Sequence, residues 1–101
     1  MSEMQNDKEQ QDRLLTALLV DAVQFRQSRG DETTLRDLHT LLDVPQNVAL
    51  RLAHKLAEDG VAVIEENLAD AFASQITISE TILTRMARAR RSFLDATKKI
   101  A

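Results

Sequence analysis

The chain has 101 residues and a formal net charge of −3, so it is the size of one small domain and lacks the overall basic character typical of nucleic-acid-binding domains. Its 44% hydrophobic and 29% charged residues, with two glycines and one proline, indicate a mainly helical globular protein. It has no cysteine, which excludes disulfides and thiolate metal sites, and no apolar run approaches the roughly 18–20 residues of a membrane span. Residues 1–13 are too polar for a signal peptide, so we expect the cytoplasm as the compartment.

Residues 1–11 are polar and have no N-cap, and we expect them to form a flexible tail or to extend the following helix. Residues 12–28 are predicted to be helical with an apolar surface wider than one packing partner needs. That surface consists of Leu14, Leu15, Leu18, Leu19, Ala22, Val23 and Phe25. We expect the helix to meet both the core and a second subunit, the latter through Leu18, Ala22 and Phe25.

The sequence SRGD at 28–31 predicts a glycine-centred break, and residues 34–42 then predict a short helix. Thr34 and Asp37 have the spacing of a capping box at its start. Asp43 lies where the chain must reverse, and aspartate tolerates the left-handed conformation that a tight turn requires. The buried face is predicted to contain Leu35, Leu38, Leu41 and Leu42.

A second short helix follows at once, with Pro45 expected in its first turn and Gly60 at its end. Its predicted buried face contains Val48, Ala49, Leu52, Ala53 and Leu56. Two helices joined by so short a turn form a helix-turn-helix.

The stretch VPQNVALRLAHKLAEDGVAVI, residues 44–64, resembles the recognition helix and first wing strand of bacterial winged helix-turn-helix transcriptional regulators, most closely those of the MarR type. The resemblance implies a mainly α fold with a small β-hairpin, in which a winged helix-turn-helix domain at 12–79 is flanked by N- and C-terminal helices. It also implies that the second helix of the motif enters the major groove of double-stranded DNA.

A β-hairpin wing is predicted after Gly60. Val61 and Val63 are expected on the inner face of its first strand, and Ile76 and Ile78 on that of its second. The tip, EENLADAFAS, lacks the arginine with which the resembled regulators enter a minor groove. Two apolar residues occur there, Leu68 and Phe72, which either fold back on the core or touch a partner.

Residues 80–101 are predicted to form a C-terminal dimerisation helix, capped by Thr77 or Ser79 and with Glu80 in its first turn. Apolar residues recur in a seven-residue repeat, which is typical of a coiled-coil seam. The seam consists of Ile82, Met86, Ala89, Phe93, Ala96 and Ile100. We favour packing between subunits, because a small domain cannot cover two long apolar helices; the alternative is packing on the first helix of the same chain.

The charges are unevenly distributed along the second half of the chain. Residues 61–80 have four acidic residues and no Lys or Arg, whereas residues 81–101 have six basic residues against one acidic residue. This pattern indicates that the last helix either faces phosphate or pairs with an acidic surface of the same or another subunit.

The DNA-binding surface is predicted on the second helix of the motif, on the side away from the buried face. Asn and Gln side chains there can pair with adenine, Arg with guanine, and an exposed leucine can contact a thymine methyl group. These residues are Gln46, Asn47, Leu50, Arg51, His54 and Lys55, to which Thr34 and Arg36 are added, Arg36 as a phosphate contact. The alternative is an ordinary solvated helix face.

Catalytic and metal sites are not predicted. His39 and His54 lie on different helices without a companion cysteine, and the sequence has no glycine-rich phosphate loop or nucleophile elbow. We therefore expect no enzyme, no cofactor and no small-molecule ligand.

Two functions remain open. The first is a homodimeric transcriptional regulator that reads a palindromic DNA site, and it is favoured by the resemblance of the recognition helix. The second is a winged-helix protein-interaction or assembly module that does not read DNA and uses the acidic wing and the heptad helix as its working surfaces.

Overall fold

The computed structural model describes the backbone of residues 2–100 and the side chains of residues 7–96. Helix α1 comprises Ser2–Ser28, α2 Leu35–Leu42, α3 Gln46–Glu58 and α4 Glu80–Ile100. Strands β1, Ala62–Glu65, and β2, Gln75–Ile78, form an antiparallel hairpin with a short 3-10 helix, Ala71–Ala73, between them. This is the predicted mainly α, winged helix-turn-helix architecture with flanking N- and C-terminal helices.

Helix α1 begins at Ser2, so residues 2–11 take the second form expected of them, a helical extension. Its end is the predicted glycine break. Gly30 has a φ of +80°, and the amides of Gly30 and Asp31 donate to the carbonyls of Gln27 and Arg26 at 3.1 and 2.9 Å. This left-handed closure uses the carbonyl groups that the helix end leaves without intrahelical partners.

The helix-turn-helix is built by local signals. The predicted capping box is present: the Asp37 amide donates to Thr34 Oγ1 at 3.3 Å, and the Thr34 amide donates to Asp37 Oδ2 at 3.0 Å. Asp43 has a φ of 54° and a ψ of 50°, the left-handed conformation expected at the turn. Pro45 is the N-cap of α3, one position before the helical turn in which it was expected.

Gly60 ends α3 as predicted, with a φ of +75°. Its amide donates to the Ala57 carbonyl at 3.2 Å, and the Val61 amide donates to the Leu56 carbonyl at 2.9 Å. These two bonds are those of a Schellman motif, which redirects the chain from α3 into β1.

The core lies where α1, α2 and α3 meet the inner face of the hairpin. It consists of Leu19, Val23, Leu35, Leu38, Ala49, Leu52, Ala53, Leu56, Ala62, Ile76 and Ile78. Leu41 was predicted on the buried face of α2 but is 41% exposed, because helical geometry places it at the edge of the face that Leu35, Leu38 and Leu42 form.

The inner face of the hairpin differs from the prediction in β1. Ile76 and Ile78 are buried as expected, but they pair with Ile64 and Ala62, so those residues share the inner face. Val63 is therefore 53% exposed, and the predicted Val61–Val63 face is wrong by one residue. The physical reason is that Val61 belongs to the Schellman motif of α3, so the strand begins one residue later.

The outer edge of β2 is bonded to neighbouring elements. The Gln27 side chain on α1 accepts from the Ile78 amide at 2.9 Å and donates to the Ile78 carbonyl at 3.4 Å. The Ile76 amide donates to the Thr33 carbonyl at 2.9 Å, and the Leu35 amide donates to the Ser74 carbonyl at 3.0 Å. These bonds fix the wing against α1 and the start of α2.

Helix α4 leaves the domain after two turns. Ile82 and Leu83 pack against the core and Met86 is half-buried, whereas every residue from 87 to 96 is exposed. The predicted Ser79 side-chain cap is not formed, since Ser79 Oγ is buried and has no hydrogen-bond partner among the described residues. None of the helices within residues 2–100 combines the length and hydrophobicity needed to cross a bilayer.

Candidate nucleic-acid interface

The outward face of α3 contains most of the side chains predicted to read DNA. Asn47, Arg51, His54 and Lys55 are exposed, and Gln46 is half-buried at the first turn. Their spacing of three and four residues places them on one side of the helix, opposite the buried residues that hold α3 in the core. The helix thus presents an amide, a guanidinium, an imidazole and an ammonium group to solvent.

Leu50 is placed differently from the prediction. It was expected to be exposed, but it is half-buried and packs against the core. Together with His54, Ile64 and Phe72 it lines a groove of about 350 Å³ between α3 and the wing. The expectation of a freely exposed leucine is wrong because Leu50 lies at the edge of α3 nearest the wing, where it packs against the core.

Arg51 is paired with a carboxylate from the first helix. Its two terminal nitrogens donate to the two carboxylate oxygens of Asp12, at 2.9 and 3.2 Å. Hydrogen bonds from Arg51 lower the pKa of the Asp12 carboxyl, and the same bonds raise the pKa of the Arg51 guanidinium. Both groups therefore stay ionised at neutral pH.

Arg36 is paired with the wing. Its guanidinium donates to Asp70 Oδ2 at 2.6 Å, and this hydrogen bond is the main cause that lowers the pKa of Asp70. The other carboxylate oxygen of Asp70 accepts from the Phe72 amide at 3.1 Å at the start of the 3-10 helix. Thr34, the remaining predicted contact on the motif, is half-buried and uses its hydroxyl oxygen in the capping box.

One of the two apolar side chains at the wing tip folds back, and the other projects into solvent. Phe72 is half-buried and folds back, whereas Leu68 is 97% exposed. Two exposed acidic residues, Glu65 and Glu66, precede Leu68. The tip is thus an acidic surface with one projecting apolar side chain.

The predicted dimerisation residues form surfaces that this chain leaves largely uncovered. On α1, Leu18 and Phe25 are exposed and Ala22 is half-buried, and the Arg29 guanidinium lies 5.5 Å from the centre of the Phe25 ring. On α4, Ala89, Phe93 and Ala96 are exposed, Ile82 and Met86 are half-buried, and the Ile100 side chain lies outside the described residues. Leu14 on α1 is also exposed, next to Leu18 on the same side of the helix.

The ion pairs of Arg36 and Arg51 were not predicted. Their acidic partners lie 34 and 39 residues away in the chain, so neither helical spacing nor a motif could indicate them. The uneven charge distribution along the chain was the available signal, and it does not indicate which acidic residue pairs with which arginine.

Comparison with known proteins places this geometry in a known fold. No protein-family model and no curated protein matches the sequence. Among solved structures, a MarR family transcriptional regulator from Silicibacter pomeroyi DSS is 19% identical, with a TM-score of 0.59 over 97% of this chain. The chain spans 64% of the length of that regulator.

Two other solved structures are similar at lower scores. The adhesin competence repressor (AdcR) from Streptococcus pyogenes has a TM-score of 0.46 and 15% identity, over 89% of this chain and 62% of its own. ZitR from Lactococcus lactis has a TM-score of 0.47 and 13% identity, over 89% of this chain and 57% of its own. The similarity to the Silicibacter pomeroyi protein shows that this chain has the winged helix-turn-helix fold of a MarR family transcriptional regulator.

Proposed function

We propose that the protein is a cytoplasmic, sequence-specific transcriptional regulator that binds double-stranded DNA as a homodimer. The observation that supports this most directly is the outward face of α3, where Asn47, Arg51, His54 and Lys55 lie together on the recognition helix of a winged-helix fold. We include no catalytic activity, cofactor or small-molecule ligand in the proposal.

The side chains on this face suit the chemistry of the major groove. Asn47 can donate to and accept from the edge of adenine, and Arg51 can pair with guanine. His54 and Lys55, one turn further on, suit phosphate oxygens, as does Arg36 on α2. Local groups of this kind support DNA binding even though the chain as a whole has a net charge of −3.

The homodimer is proposed from the exposed apolar surfaces of α1 and α4. A twofold pair joined through these helices would present two α3 helices to successive major grooves of a palindromic site, with half-sites about 10 base pairs apart. Selection of bound sequences from a random DNA library at about physiological salt tests this, since it reports binding, palindromy and spacing together. Failure to enrich any sequence would contradict the proposal.

Arg51→Ala should weaken binding to the selected duplex by about 1–3 kcal/mol, which is roughly 5- to 150-fold, because it removes a potential bidentate contact to guanine. Fluorescence anisotropy at fixed salt measures the change. Arg91→Ala is the matched control, since Arg91 is exposed on α4 at a position outside the seven-residue repeat. Equal affinities of the two variants would remove the groove-reading role from Arg51.

A protein-interaction module is the second candidate, and the observation that favours it is the wing tip. Leu68 is almost fully exposed beside Glu65 and Glu66, in a segment without Lys or Arg. A partner that suits this surface would have a basic segment with an apolar pocket, by complementarity of charge and hydrophobicity.

If this second function holds, Leu68→Asp should abolish a complex of fixed stoichiometry with a basic protein partner, as measured by size exclusion with light scattering. Val63→Asp is the control, because Val63 is also exposed but lies on the outer face of β1. Under the regulator proposal, Leu68→Asp forms the same DNA complex as the control, and no such partner complex exists.

A further inference from the structure

The Asp12–Arg51 pair occupies the part of Arg51 that nucleic acid would use. Arg51 Nη1 donates to Asp12 Oδ2 at 2.9 Å, and Nη2 donates to Oδ1 at 3.2 Å, so the two terminal nitrogens of the guanidinium are bound side by side. A phosphate group, or the O6 and N7 atoms of guanine, accepts from an arginine fork in the same two-point manner. The Nη1–Nη2 edge of the guanidinium cannot make a two-point contact with both acceptors at once.

The carboxylate that holds Arg51 comes from the N-terminal half of α1 and not from the helix-turn-helix. Asp12 lies beyond Leu15, Leu19 and Val23, through which α1 packs into or against the core, and faces a cleft between α1 and α3. Glu9 and Arg13 of α1 and Lys55 of α3 line the same cleft. Asp12 is the carboxylate there that pairs directly with a cation of α3.

This arrangement has opposite consequences for the two kinds of DNA complex. A phosphate offers Arg51 an anionic oxygen pair at a solvent-exposed position, which the Asp12 carboxylate already provides. Replacing the carboxylate by a phosphate therefore yields little net free energy. A guanine edge in a fitted major groove comes with the neighbouring contacts of α3, such as those of Asn47, and these can offset the loss of the carboxylate. Arg51 would then contribute to the specific complex and little to binding of arbitrary sequence.

We propose that Asp12 is a specificity-determining residue that competes with nucleic acid for Arg51 and thereby suppresses binding to DNA of unrelated sequence. The proposal extends the proposed DNA-binding function and depends on it. In this role the Asp12 carboxylate is an internal anionic competitor of phosphate.

The test compares Asp12→Asn with the wild-type chain and with Asp7→Asn, which removes the same charge from an exposed position on the same helix, before the apolar residues proposed for dimerisation. Anisotropy titrations use the selected duplex and a duplex of unrelated sequence, each from about 50 to 200 mM salt. For the unrelated duplex, Asp12→Asn should gain affinity beyond Asp7→Asn. Its plot of log K against log salt should steepen by about 0.9 per added phosphate contact, a three- to fourfold larger loss across that range. The ratio of specific to unrelated affinity should fall.

A double variant, Asp12→Asn with Arg51→Ala, identifies the group through which Asp12 acts. Relative to Arg51→Ala alone, the double variant should show no gain in affinity for the unrelated duplex, because it has no Arg51 guanidinium to release. A gain that persists would overturn the proposal. Circular dichroism melting of each variant verifies that the exposed substitutions leave the fold intact.

Different experimental results would overturn this inference and the proposed function. If the wild-type chain selects a sequence but Asp12→Asn behaves like Asp7→Asn, or binds more weakly, only the role of Asp12 is overturned. If neither the wild-type chain nor Asp12→Asn shows salt-dependent binding to any duplex, both proposals are overturned.

Discussion

Ala89→Asp is expected to convert the proposed homodimer into monomers and to weaken binding to a palindromic duplex by about a hundredfold or more, because both half-sites then bind independently. Ala89 lies in the middle of the heptad seam of α4 and is exposed in the single chain. A carboxylate there leaves the monomer intact but would be buried without a partner between two seams. Size exclusion with light scattering and anisotropy measure the two effects.

The matched control for Ala89 is Ala87→Asp. Ala87 is also an exposed alanine of α4 and lies outside the seven-residue repeat, so the same substitution adds the same charge with the same helix propensity. It should keep the dimer and the DNA affinity. A stable dimer of Ala89→Asp would contradict the seam and leave the exposed residues of α1 as the alternative contact.

Leu38→Ala is expected to lower the free energy of unfolding by about 2–5 kcal/mol, a large part of the stability of a small domain. Leu38 is 0% exposed at the centre of α2, so truncation leaves a cavity where α1, α2 and α3 meet. Urea denaturation followed by circular dichroism, at one fixed protein concentration, measures the loss.

Leu41→Ala is the control on the same helix, because it makes the same chemical change at a side chain that is 41% exposed. It should cost less than about 1 kcal/mol, since part of the removed surface was already in water. Similar losses for the two variants would contradict the assignment of Leu38 and not Leu41 to the core.

Features set by neighbouring residues could be predicted from the sequence. The capping box of Thr34 and Asp37, the left-handed turn at Asp43 and the stop at Gly60 each depend on residues within a few positions, and all three are present. The helix-turn-helix and the resemblance of α3 follow from the same local pattern. These signals sufficed for the fold class.

Features set by distant parts of the chain could not be predicted. The inner face of β1 depends on its pairing with β2, so the alternation of Val61 and Val63 was misleading. The partial burial of Leu50 depends on its packing against the core beside the wing, and the pairing of Arg51 depends on Asp12. Local patterns in the sequence therefore indicated neither the ion pairs of the candidate interface nor its half-buried leucine.

The bonds along the outer edge of β2 have a consequence for solubility. An unpaired strand edge is a template on which a strand of another molecule can add, and a two-stranded sheet has two such edges. Here the side chain of Gln27 bonds to the backbone of Ile78 as a neighbouring strand would. The Thr33 carbonyl and the Leu35 amide bond to the Ile76 amide and the Ser74 carbonyl. Strand addition at β2 is thereby blocked, so the wing is protected on that side from aggregation through intermolecular sheets.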